Sequence, residues 1–273
     1  MLKDCLEAVE KKKPFIHNIT NYVTANDVAN MLLACKASPI MADEFKEVEE
    51  ITAICDGLTI NIGTLNQHTI PSMFAAGKKA VKMGHCVLLD PVGAGASTLR
   101  TNTALELCSQ IPFDCIRGNI SEIKALAIGS RNTKGVDASV TDAVTEENKE
   151  EVIDFLQIFA KEKQCIVICT GKIDLVLDGT SCYSIQNGHP KMSQVTGTGC
   201  QLSALVTAYL AANPKQKLEA CVAAVCAMGL AGELAWERME KGDGIATYRN
   251  RIIDAIDQMN GVCLEKGARY EIQ

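Results

Sequence analysis

Aromatic side chains are scarce in this sequence, at 4% of 273 residues with a single tryptophan. A core must therefore be filled by Ala, Val, Ile, Leu, Met and Cys, and a hydrophobic content of 47% supplies enough of them. Positive charge is also short: 27 Lys and Arg face 33 Asp and Glu, for a net charge of −6. That balance argues against a general nucleic-acid or anionic-membrane binder, although a few local donors and a metal ion can still hold a nucleotide's phosphates. The N-terminal stretch MLKDCLEAVEKKKP lacks the apolar core of a signal peptide. No charge-free apolar run reaches the roughly 18 residues of a membrane span. The longest runs, around Leu202–Ala212 and Ala220–Gly232, read as buried helices, and a soluble, cytoplasmic protein is expected. Cysteine breaks the pattern of scarcity. There are 13, an odd number, with no C-x-x-C and no Cys/His zinc spacing. Cys165 and Cys169 lie on a strand-like run, Cys221 and Cys226 on an apolar helix, so most read as small core hydrophobes in a reducing compartment rather than as metal ligands.

No Pro/Gly/Ser linker, composition shift or internal repeat divides the chain, and 1–273 reads as one domain. Apolar spacing predicts helices over Leu2–Lys13, Thr20–Lys36, Asp43–Cys55, Gln67–Met83 and Thr98–Ser109, another from Ser121, one ending at Lys163, and three closing ones at Gly199–Ala212, Lys217–Lys241 and Ile245–Met259. Between them lie β-rich runs at Phe15–Ile19, Ser38–Met41, Gly57–Thr64, Cys86–Asp90, Asp114–Arg117 and Cys165–Thr170. Ile173–Leu177 and Ser181–Ile185 read as a hairpin around Asp178-Gly179. Gly129–Thr145 reads as a polar loop. Strands alternating with helices imply an α/β fold with a mostly parallel sheet covered on both faces. Ligands gather beyond the carboxyl ends of such strands. Met41, Gly63, Asp90, Arg117 and Thr170 all fall at predicted strand ends, along one rim.

Several stretches suggest chemistry. Val195-Thr196-Gly197-Thr198-Gly199-Cys200 opens an apolar helix whose first N–H groups have no intrahelical partner, a ready anion site, although glycines at a sharp helix entry need no ligand to explain them. Cys200 in that first turn is expected to lose its proton more easily than an ordinary thiol. His17, Asn18, Asn21, Asn26, Asp27 and Asn30 cluster at a helix start, as capping groups on a solvated face or as hydrogen-bonding partners for a polar ligand or another chain. Asp90-Pro91-Val92-Gly93-Ala94-Gly95 follows a buried strand but lacks the third glycine of G-x-G-x-x-G, and there is no G-x-x-x-x-G-K-[ST] loop. Asn119 and Glu122 suit a capping pair. With Arg117 two residues earlier as a phosphate donor, Asp90 and Glu122 could also serve Mg²⁺, directly or through water, while Thr170-Gly171 adds a hydroxyl or a backbone N–H.

Taken in order, His17-Asn18-Ile19-Thr20-Asn21 with Asn26, Met41-Ala42, Asn61-Ile62-Gly63-Thr64, Asp90-Pro91-Val92-Gly93-Ala94, Arg117-Gly118-Asn119-x-x-Glu122 and Thr196-Gly197-Thr198-Gly199-Cys200 resemble the hydroxyethylthiazole kinases of the ribokinase-like superfamily. The resemblance implies a three-layer α/β/α sandwich and ATP- and Mg²⁺-dependent phosphorylation of the primary alcohol of 4-methyl-5-(2-hydroxyethyl)thiazole in thiamine salvage. It also implies a homotrimer with the thiazole site between subunits. Carried over by position, Met41 and Gly197, with Asn26, Gly63 and Thr64, fall to the thiazole; Arg117, Thr170 and Asn119 to ATP; Asp90 and Glu122 to the metal. Cys200 stands where many ribokinase-like enzymes place an aspartate, and is expected to act as base or orienting group for the alcohol. Lys172 departs from the family, which more often has an acidic residue there. Rival readings are an ATP-dependent NAD(P)H-hydrate dehydratase or a kinase for another small alcohol on the same fold, and a thiazole- or nucleotide-binding protein without turnover. Cys200 and the amide-rich start favour the thiazole alcohol, and the presence of Asp90, Arg117 and Glu122 favours an enzyme.

Overall fold

The computed structural model describes residues 1–129 and 144–273. Nearly all of the polar stretch Gly129–Thr145 thus lies outside the described residues. Nine strands form one sheet among the described residues: β1 (Phe15–Ile19), β2 (Ser38–Met41), β3 (Gly57–Asn61), β4 (Cys86–Asp90), β5 (Cys115–Asn119), β6 (Ile166–Thr170), β7 (Asp174–Leu177), β8 (Cys182–Ile185) and β9 (Tyr270–Ile272). Their spatial order is β2-β1-β3-β4-β5-β6-β7-β8-β9. Pairs from β2 to β6 are parallel, and β7, β8 and β9 add on antiparallel. The chain enters at β1, steps outward to β2, then returns past β1 to β3. Strand order therefore reverses between β1 and β3, the point beyond whose carboxyl ends open α/β sheets bind ligands.

Helices cover both faces, as the alternating pattern predicts. On one side pack α1 (Leu2–Lys12), α2 (Ala25–Ala34), α8 (Thr198–Ala212), α9 (Lys217–Glu237), α10 (Ile245–Gln258) and α11 (Gly261–Gly267), against Ile16, Leu88 and Ile168 of the sheet. On the other pack α4 (Thr69–Met83), α5 (Thr98–Gln110), α6 (Ile120–Gly129) and α7 (Lys149–Lys163), against Leu58, Val87, Leu89 and Val167, with the short α3 (Val48–Ile54) beside α4. Strands buried on both faces need no polar side, so β4 and β6 read as near-continuous apolar runs. Helix α9 is long and apolar enough to cross a membrane by length and composition, yet 78% of its apolar window is buried in this molecule, against α8, α10 and α1. Ten of the cysteines are buried and three partly so, all as free thiols.

Several boundaries differ from the sequence reading. The helix expected from Thr20 starts at Ala25, because the Asn21 side chain accepts from the Thr24 N–H at 3.1 Å and holds a turn in place of the first helical bonds. The helix expected over Asp43–Cys55 begins only at Val48, after a turn closed by the Glu47 N–H on the Glu44 carbonyl. The run Gly57–Thr64 leaves the sheet at Asn61. A 3₁₀ turn at Pro190–Gln194, helix α11 and strand β9 were not anticipated; each is seven residues or fewer, too short for periodicity to show.

Gln201, in the first turn of α8, is 1% exposed, and neither its Oε1 nor its Nε2 has a hydrogen-bond partner among the described residues. An unpaired buried amide costs on the order of 1–3 kcal/mol. Replacement by the similarly shaped Met is expected to stabilise the fold by that order, read as a rise in thermal midpoint; an unchanged or lower midpoint would show that the amide is satisfied in solution.

Candidate active site

The period of two along each strand decides which side chains meet α8. Thr59 of β3 donates to Thr207 of α8 at 2.9 Å, Leu88 of β4 and Cys115 of β5 lie in the α8-side core, and so does Ile168 of β6. Two residues further on, at the carboxyl ends, the same face carries Asn61, Asp90, Arg117 and Thr170. The start of α8 lies over this row. Its N-cap, Gly197, has φ 87°, and a Cβ there would stand 2.4 Å from Thr24 Cγ2, so both backbone and space require glycine. At Gly199 a Cβ would meet the Arg117 guanidinium at 2.5 Å, so this glycine lets the arginine lie against the helix entry.

Asp90 is fully buried. Its Oδ2 accepts from Asn61 Nδ2 and from Ser203 Oγ, each at 2.8 Å. Its Oδ1 faces Arg117 Nη1 at 3.6 Å and has no hydrogen bond among the described residues. Burial pushes the carboxyl up to about 6, against the pull of Arg117, Ser203 and Asn61. Arg117 donates through Nη2 to Thr170 Oγ1 at 2.7 Å, and its Nε lacks a partner among the described residues. Asn119 and Glu122 form the expected reciprocal cap: the Asn119 N–H donates to Glu122 Oε2 and the Glu122 N–H to Asn119 Oδ1, both at 2.8 Å. Glu122 Oε1 also accepts from the Gly93 N–H at 2.8 Å, which ties the loop after Asp90 to the end of β5. In the loop of the Lys172 departure, the Gly171 N–H donates to Asp174, whose carboxyl burial pushes up to about 6.

Cys200 sits half-buried above Asp90 in this row. Asn21 Nδ2 and Asn61 Nδ2 both donate to its sulfur, each at 3.2 Å. The expectation of an easily ionised thiol is overturned: the Cys200 pKa is raised, first by burial and next by the negative charge of Asp90, while hydrogen bonds from Thr24, Asn21 and Asn61 oppose the rise. The helix start is real, but the thiol is buried there beside a carboxylate.

An open cleft of about 160 Å³ lies at the strand-order reversal between β1 and β3, where Asn18, Met41, Asn61, Thr64 and Met73 line it. The Asn18 Oδ1 has no hydrogen-bond partner among the described residues. Gly63 adjoins the cleft, its N–H donating to Asn61 Oδ1 at 2.9 Å. Of the residues assigned from sequence, Met41 and Thr64 line the cleft; Cys200, Gly197, Asp90, Arg117, Thr170, Asn119 and Glu122 do not, and Asn61, which does, bonds both Cys200 and Asp90. Asn26 is exposed at the start of α2, with its amide oxygen taken by Asn30, and does not line the cleft. His17 is buried on Thr52 and the Ala42 carbonyl, so the amide-rich start is partly internal scaffolding. Sequence reasoning missed the inward turn of Asn21, and it missed Arg100, which bonds the Val92 carbonyl at 3.0 Å and the Gly63 carbonyl and so joins the two loops.

The pyridoxal kinase of Staphylococcus aureus solved with AMP-PCP and pyridoxal superposes at a TM-score of 0.62 over 95% of this chain and 98% of that one, at 15% identity. The chain thus has a ribokinase-like fold. Residues 6–261 match the Hydroxyethylthiazole kinase family. A hydroxyethylthiazole kinase of Clostridium acetobutylicum is 56% identical over 99% of both chains. One of Clostridium beijerinckii is 46% identical over 96% of this chain and 93% of its own. The solved hydroxyethylthiazole kinase protein of Pyrococcus horikoshii superposes at a TM-score of 0.87 and 34% identity, over 100% and 98% of the two chains. The chain belongs to the hydroxyethylthiazole kinase family.

Proposed function

We propose that 1–273 acts as one kinase domain that transfers a phosphoryl group from ATP to the primary alcohol of 4-methyl-5-(2-hydroxyethyl)thiazole, giving its phosphate and ADP, in thiamine salvage. The observation that carries this reading is Asn61, which lines a small cleft at the strand-order reversal and bonds both Cys200 and the buried Asp90 of the Asp90–Arg117 pair. Met41, Gly63, Thr64 and Gly197 face the alcohol side. Arg117, Thr170 and Asn119 serve the ATP side, where a guanidinium and a hydroxyl can hold phosphate oxygens. The N–H groups at Gly197–Cys200 and the dipole of α8 stabilise charge on the transferring group.

The donor set fits Mg²⁺. Asp90 Oδ1 lacks a hydrogen-bond donor, and each Glu122 oxygen accepts a backbone N–H while keeping lone pairs free. A hard cation that retains much of its water needs only one or two such carboxylates beside phosphates. Asp90 and Glu122 would hold it, directly or through water, and it would supply neutralising charge to the phosphates. Cys200 orients the hydroxyl as a neutral thiol, and the hydroxyl proton passes to a phosphoryl oxygen as the new O–P bond forms. The raised thiol pKa is compatible with this, because phosphoryl transfer relies on positioning and charge more than on a strong base.

Tyr22, Val23 and Phe45 are exposed hydrophobic side chains near the cleft, and Asn26 is exposed on the same segment. They support a thiazole site completed by a neighbouring copy in a homotrimer. In an ADP-release assay with Mg·ATP, the thiazole alcohol is expected to give the highest kcat/KM among hydroxymethylpyrimidine, pyridoxal and sugar alcohols. Faster turnover of any of these would overturn the substrate assignment, and calorimetric binding of the thiazole without ADP formation would favour a non-catalytic binder.

A further inference from the structure

We propose that Asn21 and Asn61 form a positioning pair for Cys200, two side-chain amides that donate to its sulfur and hold it in one orientation. The inference rests on the reading of Cys200 as the group that orients the alcohol. Both amides have a determined orientation. Asn61 Oδ1 accepts from the Gly63 N–H at 2.9 Å and from Asn21 Nδ2 at 3.1 Å, so its Nδ2 is the end that faces Asp90 Oδ2 and Cys200 Sγ. Asn21 Oδ1 accepts from the Thr24 N–H at 3.1 Å and from Thr24 Oγ1 at 3.0 Å, so its Nδ2 faces Asn61 and the sulfur. An amide has two N–H donors. All four are engaged, which leaves neither side chain a donor for substrate. Their influence on the reaction must therefore pass through the groups they hold.

Each contact has a consequence for geometry. Two N–H donors occupy both lone pairs of the thiol sulfur, which fixes its position and leaves the S–H as the group it can still offer. Asn61 places its two N–H groups on the Asp90 carboxylate and on the thiol, so one side chain sets the spacing between them. Asn21 and Asn61 are 5% and 2% exposed, so water does not compete for these bonds. A Cβ at Gly63 would lie 3.0 Å from both Asn21 Nδ2 and Asn61 Oδ1, so the absence of a side chain there leaves the pair undisturbed.

Asn21→Asp tests the pair, because it keeps the shape and the acceptor for Thr24 but replaces the N–H on sulfur with an oxygen. Asn21→Ala removes the donor without adding charge. Both are expected to lower kcat about tenfold with KM for either substrate within about twofold, the pattern of lost positioning rather than lost binding. In a Cys200→Ala background, where no sulfur is left to position, either change is expected to cost less than about twofold. A wild-type kcat in both variants, or the same loss in both backgrounds, overturns the pair while Cys200 keeps its role. A wild-type rate for Cys200→Ala alone overturns the Cys200 reading, and the pair with it.

Discussion

Turnover by an Asp90→Asn enzyme is expected to fall by roughly 10³-fold, at the upper end of what removal of one preorganised electrostatic group costs. Two effects combine. The asparagine can still accept from Asn61 and Ser203 through its carbonyl oxygen, so the buried polar network keeps its shape. Its amide nitrogen, however, would replace the carboxylate oxygen 3.6 Å from Arg117 Nη1, so the guanidinium loses its counter-charge and its fixed direction. The Mg²⁺ site loses charge at the same time. Both effects fall on the ATP side, so KM for Mg·ATP is expected to rise while KM for the alcohol changes little. Circular dichroism and a melting curve establish that the variant is folded, and a rate within about threefold of wild type would remove Asp90 from the site.

The second large effect is expected at Cys200. Its replacement by Ala should lower the rate by roughly 10² or more, the scale for loss of a positioned group in contact with the reacting alcohol, while Cys200→Asp should keep measurable activity. The sulfur has a raised pKa and two amide donors, so at neutral pH it is a protonated, firmly held thiol. Alanine removes both the oriented group and the acceptor for two buried N–H groups. Aspartate supplies an acceptor and a base in its place, beside the negative charge of Asp90. Equal steady-state rates for wild type and Cys200→Ala would show that the alcohol needs no side chain there.

Much of this layout is legible in the sequence because local patterns define it. Asp90 and Thr170 end buried apolar runs, Asn119 and Glu122 have cap spacing, and Gly197 and Gly199 precede an apolar helix. Those signals place residues along the chain and on one rim. They do not say which strands are neighbours: the order β2-β1-β3, which opens the cleft, depends on the chain turning back across β1. Nor do they show that Asn21 reaches across 40 and 179 residues of sequence to Asn61 and Cys200. An asparagine near a helix start suggests a cap or a ligand contact, and only tertiary packing turns it inward. Cys200 shows the same limit. The helix start can be read from sequence, whereas the desolvation and the charge of Asp90 that raise the thiol pKa come from the fold.

A core assembled with so many thiols ties chemical inertness to folding. Cys5, Cys35, Cys55, Cys86, Cys165 and Cys182 have pKa values pushed up to about 11 or 12 by burial, so the folded chain presents almost no thiolate from them at neutral pH. Unfolding returns every one to an ordinary thiol and brings all of them into mutual reach. Held unfolded in air, the chain can cross-link with itself and its neighbours, and loss of protein on heating then follows a rate rather than an equilibrium. Under reductant the same transition becomes reversible, and only there does a shifted midpoint report packing alone.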